Sequence, residues 1–241
     1  MLPIIMRVLI HFVKDGFIMY SPLKQKNISH YGNNIWDCFS YKINRDVMFY
    51  SELEYHHWIL IECTREIKSF CEQPREMSAY IDNEVKRSVV DMWIEWHDGT
   101  QEFIEVKYEK DIKNLSDVKN RVATQIKVQE KWCKENNYIY RIATEKHIRQ
   151  YPLLDNYKIL LPYFKLHRNP TDQTSINQQL VLEELSNKKP FSFRQLFHNL
   201  STLTLTEFYD AVFTLYIDQQ IWIDMKSTLL NSETEVVIEN D

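Results

Sequence analysis

At 241 residues and 44% hydrophobic, the chain can build one large packed domain or two modest ones, and wholesale disorder is excluded. With only 3 Gly and 7 Pro it carries no Gly-rich phosphate loop, which argues against a nucleotide-driven motor or a Rossmann dehydrogenase. A formal net charge of -5 does not suit a simple tight binder of nucleic acid. It leaves room for a nuclease whose carboxylates are partly neutralised by metal and whose partner grips the phosphates.

The first thirteen residues are apolar but short, and Arg7 and His11 interrupt them. No small-residue cleavage site follows, so a signal peptide is not expected, and Met6 or Met19 could serve as an alternative start. Nothing reads as a transmembrane span or an internal repeat. The four cysteines, Cys38, Cys63, Cys71 and Cys133, lack CxxC or zinc-finger spacing and read as reduced, cytosolic and structural.

Residues 17–50 read as loops and short strands, with a turn signal at Tyr31-Gly32-Asn33-Asn34. Ser51 is the N-cap of a helix over 52–63 whose face carries Leu53, His57, Leu60 and Ile61. Glu54 lies in its first turn, where the helix dipole favours negative charge. Residues 64–73 run extended and end at Gln73-Pro74. Met77 to Ile81 is a strand, Asp82-Asn83-Glu84 a hairpin turn, and Lys86 to Trp96 the next strand, carrying Asp91. His97-Asp98-Gly99 is a second tight turn. Gln101 to Tyr108 is a third strand. A long helix spans 117–136, a fourth strand 138–143, and another helix starts at Thr144-Glu145.

A polar stretch with a proline, His167 to Thr174, marks a boundary. Three helical patterns follow, at 175–185, 192–200 and 204–216, and then two strand-like pieces at 221–224 and 235–238. The expected architecture is α/β. A restriction-endonuclease-like PD-(D/E)xK core with a mixed central sheet occupies 1–168, and a mostly helical, winged-helix-like C-terminal domain occupies 169–241.

The chemistry concentrates at Val89-Val90-Asp91 and, thirteen residues on, at Glu105-Val106-Lys107. Side chains on a strand alternate faces, so Glu105 and Lys107 point one way and Val106 the other. Two carboxylates and an ammonium at one point suit metal-assisted attack on a phosphodiester. An acid among buried strand residues must be paired or bind a metal, which singles out Asp91. His56 and His57 are a histidine pair beside a core helix and read as structural, because hard Mg²⁺ prefers oxygen.

The ordered set of short pieces resembles TnsA, the endonuclease subunit of heteromeric, Tn-seven-type transposases. The pieces are Ser40-x-Lys42, Tyr50-Ser51-Glu52-Leu53-Glu54, Glu72-Gln73-Pro74, Asp91 and Glu105-Val106-Lys107. Further on come Ala143-Thr144-Glu145 with Ile148-Arg149, Asn156 before Leu160, and Ile221-Trp222-Ile223-Asp224-Met225. The resemblance implies a Mg²⁺-dependent nuclease, with Mn²⁺ able to substitute, that cuts the 5′ ends of a transposon. A TnsB-like DDE transposase makes the 3′ cuts, and the C-terminal module contacts a TnsC-like AAA+ regulator.

By that resemblance Glu54 is the helix-borne acid, with Glu52 and Glu62 as rivals. Glu54, Asp91, Glu105 and the Val106 carbonyl are the metal ligands. Lys107 is the fourth catalytic residue, hydrogen-bonding the attacking water and the phosphate. The usual proline before the Asp is replaced by Val90, and some relatives carry Gln where Glu105 stands. Gln73 lines the site, grips a substrate phosphate, or merely fixes a loop. Lys42, Arg45, Arg87, Lys110 and Lys113 are candidate contacts to the backbone of double-stranded DNA. The expected recognition helix, 204–216, carries Glu207 and Asp210 and no Lys or Arg, so it suits a protein partner better than a DNA groove. A cytoplasmic, bacterial setting with no membrane association follows. The alternatives are a stand-alone restriction or repair nuclease and a non-catalytic docking subunit.

Overall fold

The computed structural model describes residues 20–23, 34–113, 121–186 and 189–239. The N-terminal apolar stretch, most of the 31–34 turn signal, and the start of the helix expected from 117 lie outside these residues. The chain divides into two compact units. One holds 47–54 and 66–144, and the other holds 38–46, 55–65 and 145–241. The expected boundary at 168/169 therefore falls inside the second unit.

The chain opens with strands β1 (Trp36–Ser40) and β2 (Arg45–Phe49) and helix α1 (Glu52–Cys63). Ser51 begins α1 as expected, its hydroxyl oxygen accepting from the Glu54 N–H at 3.1 Å. In the first unit, β3 (Ile67–Glu72) leads into a hairpin of β4 (Glu76–Ile81) and β5 (Glu84–Val89). Asp82 and Asn83 both take positive φ, 48° and 64°, the geometry that a two-residue primed turn requires. Next come β6 (Met92–Trp96) and β7 (Gln101–Val106), joined through Gly99 at φ 86°. Then follow α2 (Glu109–Ile112), α3 (Arg121–Glu135) and β8 (Ile139–Ala143).

The central sheet has the order β3-β6-β7-β8. The first three strands are antiparallel, and β8 runs parallel to β7 with Glu105 opposite Ile142. The sheet is mixed, as expected, and compatible with a nuclease fold. Two readings are corrected. The single strand expected over 86–96 is two strands in different sheets: β5 pairs only with β4, whereas β6 pairs with β3 and β7. The break falls at Val90-Asp91, where the buried Val90 pins the bend. The meander likewise uses the extended segment before Pro74, not Met77 to Ile81, which belongs to the separate hairpin.

Helix α3 packs on β4, β5 and β8. Between them lies a core built on Cys71, Met77, Trp93, Phe103, Val128 and Cys133. Burying each large apolar side chain there contributes roughly 1.5–3 kcal/mol. Tyr20 meets Trp93 edge-on, with ring centroids 4.9 Å apart.

The second unit contains α4 (Glu145–Ile148), α5 (Leu153–Leu160), α6 (Tyr163–Arg168) and α7 (Asp172–Leu185). After these come β9 (Phe191–Ser192), α8 (Phe193–Asn199), α9 (Leu205–Ile217), β10 (Ile221–Ile223) and β11 (Glu235–Ile238). The last strands form a sheet of order β10-β11-β9. Capping boxes at Ser192 and Thr204 start α8 and α9. Every residue of α9 from Ala211 to Tyr216 is buried, so the C-terminal half of this helix is core, whereas Leu205 and Thr206 at its start are exposed. Asn156 is fully buried and anchors the loop after β10, donating to the carbonyls of Met225 and Thr228 and accepting from Leu230. The four cysteines are free thiols. Among the described residues no helix is long and apolar enough to cross a membrane.

Candidate active site

The site forms where β5 stops and β7 ends. Asp91 sits in the bend between β5 and β6, and Glu72, the last residue of β3, pairs with Met92 beside it. Gln73 leaves β3 with a positive φ of 43°, and its N–H donates to the Asp91 carbonyl at 2.8 Å. Gln73 thus fixes the loop against Asp91 through its backbone. The Asp91 Oδ2 in turn accepts from the Val106 N–H at 2.8 Å, which ties the bend to the end of β7.

Glu105 is fully buried, and Lys107, just past the strand, turns back on the same side. The Lys107 Nζ lies 2.5 Å from Glu105 Oε1, 3.8 Å from Asp91 Oδ2, and 3.3 Å from the Val106 carbonyl, to which it donates. Asp91, Glu105, Val106 and Lys107 are therefore brought together. Glu54 reaches the cluster from the start of α1. Its Oε1 accepts from the Ser51 hydroxyl at 2.9 Å and its Oε2 from the Tyr50 N–H at 3.2 Å.

The electrostatics follow from three carboxylates with little water. Burial and then the Asp91 charge push the Glu54 carboxyl up to about 7, against the pull of Tyr50, Ser51 and Lys107. Burial and Asp91 push Glu105 up to about 8, opposed by Lys107 and Gln129. Burial raises Asp91 too, although Lys107 and the Val106 N–H favour its charged form. Burial works against the Lys107 charge, but Asp91, Glu105 and Glu54 outweigh it and raise the ammonium's pKa. Burial is the main reason each carboxyl lies above its ordinary value, and the Asp91 charge adds to it at Glu54 and Glu105, a pattern that suits a site for a cation or for proton transfer.

Among the described residues, no group of three or more His, Cys, Asp or Glu side chains is placed to hold a metal ion. Mg²⁺ does not demand such a group, since it binds through one or two carboxylates and keeps several waters. The Lys107 ammonium offers a direct test of fit. It is a cation in contact with Asp91, Glu105 and the Val106 carbonyl, which are hard oxygens of the kind Mg²⁺ takes. The residues present fit the ion.

The rivals to Glu54 lie elsewhere. Glu52 is exposed. Glu62 belongs to the second unit, where it accepts from the Ser40 hydroxyl at 2.6 Å and from the N–H groups of Tyr41 and Lys42 at 2.8 and 2.9 Å. Ser40-x-Lys42 is therefore the binding partner of a buried glutamate. The Lys42 ammonium donates to the Thr64 carbonyl in that unit. His56 Nδ1 accepts from Arg149 Nε at 3.2 Å, a structural contact. Arg45 donates to the Asp46 carbonyl, Arg87 is exposed 3.8 Å from Glu76, and Lys110 lies 5.4 Å from the Tyr108 ring centroid.

Sequence reasoning passed over the far side of Glu105. Gln125 donates to its Oε1 at 2.6 Å and Gln129 to its Oε2 at 2.8 Å, both from α3. The available signal was the spacing: two glutamines one turn apart in a helix whose neighbours Ile126 and Val128 are apolar.

A mixed sheet ending in two carboxylates and a lysine is compatible with a nuclease fold of the α/β class. Residues 64–145 match the family described as TnsA-like endonuclease N terminal. The match supports a TnsA-type endonuclease, as the sequence resemblance implied. It spans the 66–144 part of the first unit and takes in Asp91, Glu105, Val106 and Lys107. No curated protein matches the chain.

Proposed function

We propose that the protein is the Mg²⁺-dependent DNA endonuclease subunit of a heteromeric transposase. It cuts the 5′ ends of a transposon while a DDE transposase subunit cuts the 3′ ends. One observation carries the reading: Asp91, Glu105, the Val106 carbonyl and Lys107 meet at the end of the central sheet, and the Asp91 charge acts on Glu54. Asp91, Glu105 and the Val106 carbonyl would hold the ion, with Glu54 completing the acidic face. The ion would polarise the scissile phosphate and lower the pKa of water next to it.

The chain's own groups supply the rest. Glu54, whose carboxyl titrates at about 7 without metal, gives up its proton to face the ion. Lys107 offers the phosphate an ammonium that stays charged, which suits stabilisation of developing negative charge. Gln73 keeps the loop behind Asp91 in place. Arg87 and Lys110 are solvent-facing groups able to follow a phosphate backbone.

We assign partner docking, to the AAA+ regulator by the family resemblance, to the C-terminal part. The order α7, β9, α8, α9, β10, β11, with the strands paired, supports a winged-helix reading of this part. Helix α9 has no Lys or Arg and its C-terminal half is core, so DNA reading there has no support. Trp222 on β10, 45% exposed, suits a protein surface better.

The test is cleavage of end-labelled transposon-end DNA with Mg²⁺, with and without the neighbouring transposase subunit. The expected result is 5′-strand cutting in the complex, weak or absent cutting by the chain alone, and none with Asp91→Ala, which should still fold and bind its partner. Undiminished cutting by Asp91→Ala would remove the catalytic assignment.

A further inference from the structure

Glutamine is usually exposed, yet Gln129 in α3 is fully buried. A buried amide must satisfy two donors and an acceptor oxygen, at a cost of about 1–3 kcal/mol for each group left unpaired. Gln129 meets this demand with four partners. Its Nε2 lies 2.8 Å from Glu105 Oε2, 2.8 Å from Ser88 Oγ and 3.2 Å from the Val89 carbonyl. Its Oε1 lies 2.8 Å from the Tyr140 hydroxyl.

These partners fix which way the amide points. The Val89 carbonyl and a Glu105 carboxylate can only accept, so the NH₂ must face them. The amide oxygen is left facing Tyr140, whose hydroxyl must therefore donate. One side chain thus joins three strands. It holds the end of β5, which delivers Asp91 two residues later, the carboxylate of β7, and a side chain of β8. Gln125, one helical turn earlier, adds its donor to the other oxygen of Glu105 at 2.6 Å.

The carboxylate has roughly four lone-pair directions. Two point into α3 and are filled by Gln125 and Gln129. A third points at the Lys107 ammonium, toward Asp91 and the Val106 carbonyl. The plane of the Glu105 carboxylate is therefore set from behind by neutral amides, and its front faces the Lys107 ammonium, the place a metal cation would take.

We propose that Gln129, with Gln125 and Tyr140 behind it, is a positioning residue. It orients Glu105 and ties it to the segment bearing Asp91, so that both carboxylates are pre-arranged for a divalent cation. This rests on the nuclease reading. It also disfavours Gln at 105 in this chain, because with its oxygen on Gln129 a glutamine there would set its NH₂ against the Lys107 ammonium, which can only donate.

The experiment uses the full chain in three variants: Tyr140→Phe, which removes one hydroxyl that does not touch Glu105; Gln125→Leu, at a half-buried position; and Gln129→Met, which keeps the volume. Mn²⁺ binding is measured by calorimetry on the chain alone, beside thermal melting. Cleavage is measured against metal concentration in the complex with the transposase subunit. Loss of supporting hydrogen bonds of this kind weakens metal binding about 10–100-fold, the expectation for Gln129→Met, with smaller losses for the other two. High metal should restore the maximal rate, so that the defect lies in the metal concentration required.

Tyr140→Phe and Gln125→Leu decide the question even if Gln129→Met does not fold. Unchanged Mn²⁺ affinity in folded variants, with Asp91→Ala still losing both binding and cleavage, overturns the positioning role and leaves the nuclease reading standing. If the unaltered protein neither binds Mn²⁺ nor cuts in the complex, the nuclease reading fails and the positioning role falls with it.

Discussion

Replacing Glu54 by Gln should stabilise the metal-free protein above neutral pH and cost it about 1 kcal/mol in mild acid. The folded Glu54 carboxyl titrates at about 7 in place of its ordinary 4.5. Between those values the folded state keeps a proton that the unfolded state has released. Stability therefore falls as pH rises through this window, and the full cost is present above it. Each pH unit of displacement is worth about 1.4 kcal/mol, so charging Glu54 beside Asp91 costs on the order of 3 kcal/mol. Glutamine still accepts from Tyr50 or Ser51 but loses part of that pairing, about 1 kcal/mol. The net gain is about 2 kcal/mol, or roughly 4–8 °C in Tm for a chain of this size. The assay is thermal melting of both proteins in chelator at about pH 8.5 and about pH 4, on either side of the titration window. A Glu54→Gln protein that melts below the parent at the higher pH, or gains equally at both, would refute the reasoning. Added Mg²⁺ should shrink the difference by stabilising only the parent appreciably, while cleavage is lost in the variant.

Mn²⁺ affinity should rise with pH through about 7 to about 8, because Glu54 and Glu105 must shed protons to receive the ion. Calorimetry in buffers of different ionisation heat should report proton release, and pH-independent binding would contradict it. Lys107→Met should abolish cleavage yet leave Mn²⁺ affinity equal or higher, since the ammonium contends for the same oxygens; a lower affinity would mean that Lys107 supports the ligand set. Thr204→Ala should cost about 1 kcal/mol in denaturant melts by removing the cap of α9, with metal binding untouched.

Local signals carried well from sequence to structure. Ser51 before an apolar face gave α1 its start, and Asp82-Asn83 and Gly99 gave two turns their positive φ. Glu105 and Lys107 share a side because a strand has a period of two. What failed was long-range. Nothing between Lys86 and Trp96 announces that the run splits between two sheets, because Val89-Val90 suits either strand, and the bend is set by pairing with residues distant in sequence. No helix was expected over 153–168, although Pro152 and Pro162 stand at the edges of α5 and α6, where a proline is compatible with a helix start. That Glu54 feels the Asp91 charge, while Glu62 binds Ser40 and the loop after it, shows only in the fold. Gln129 was invisible because a glutamine among apolar helix residues reads as a polar face until its burial is seen.

The spacing of Glu105 and Lys107 answers a stability problem as well as a chemical one. Burial and mutual repulsion make it costly to keep Glu54, Asp91 and Glu105 charged together. A cation fixed in the fold offsets that cost when no metal is bound, and it must come from a residue that can withdraw. An ammonium two residues along the strand meets both needs. It reaches Glu105, Asp91 and the Val106 carbonyl from one anchor, yet its flexible stem can carry the charge aside without moving the backbone. Arginine would meet the first need and fail the second, because its rigid fork would grip the carboxylates bidentately and contest the ion's place. Lys107→Arg should therefore melt at or above the parent's temperature and still lose both Mn²⁺ affinity and cleavage. A variant that melts normally and binds Mn²⁺ with the parent's affinity would show that the ammonium's mobility is not what the site requires.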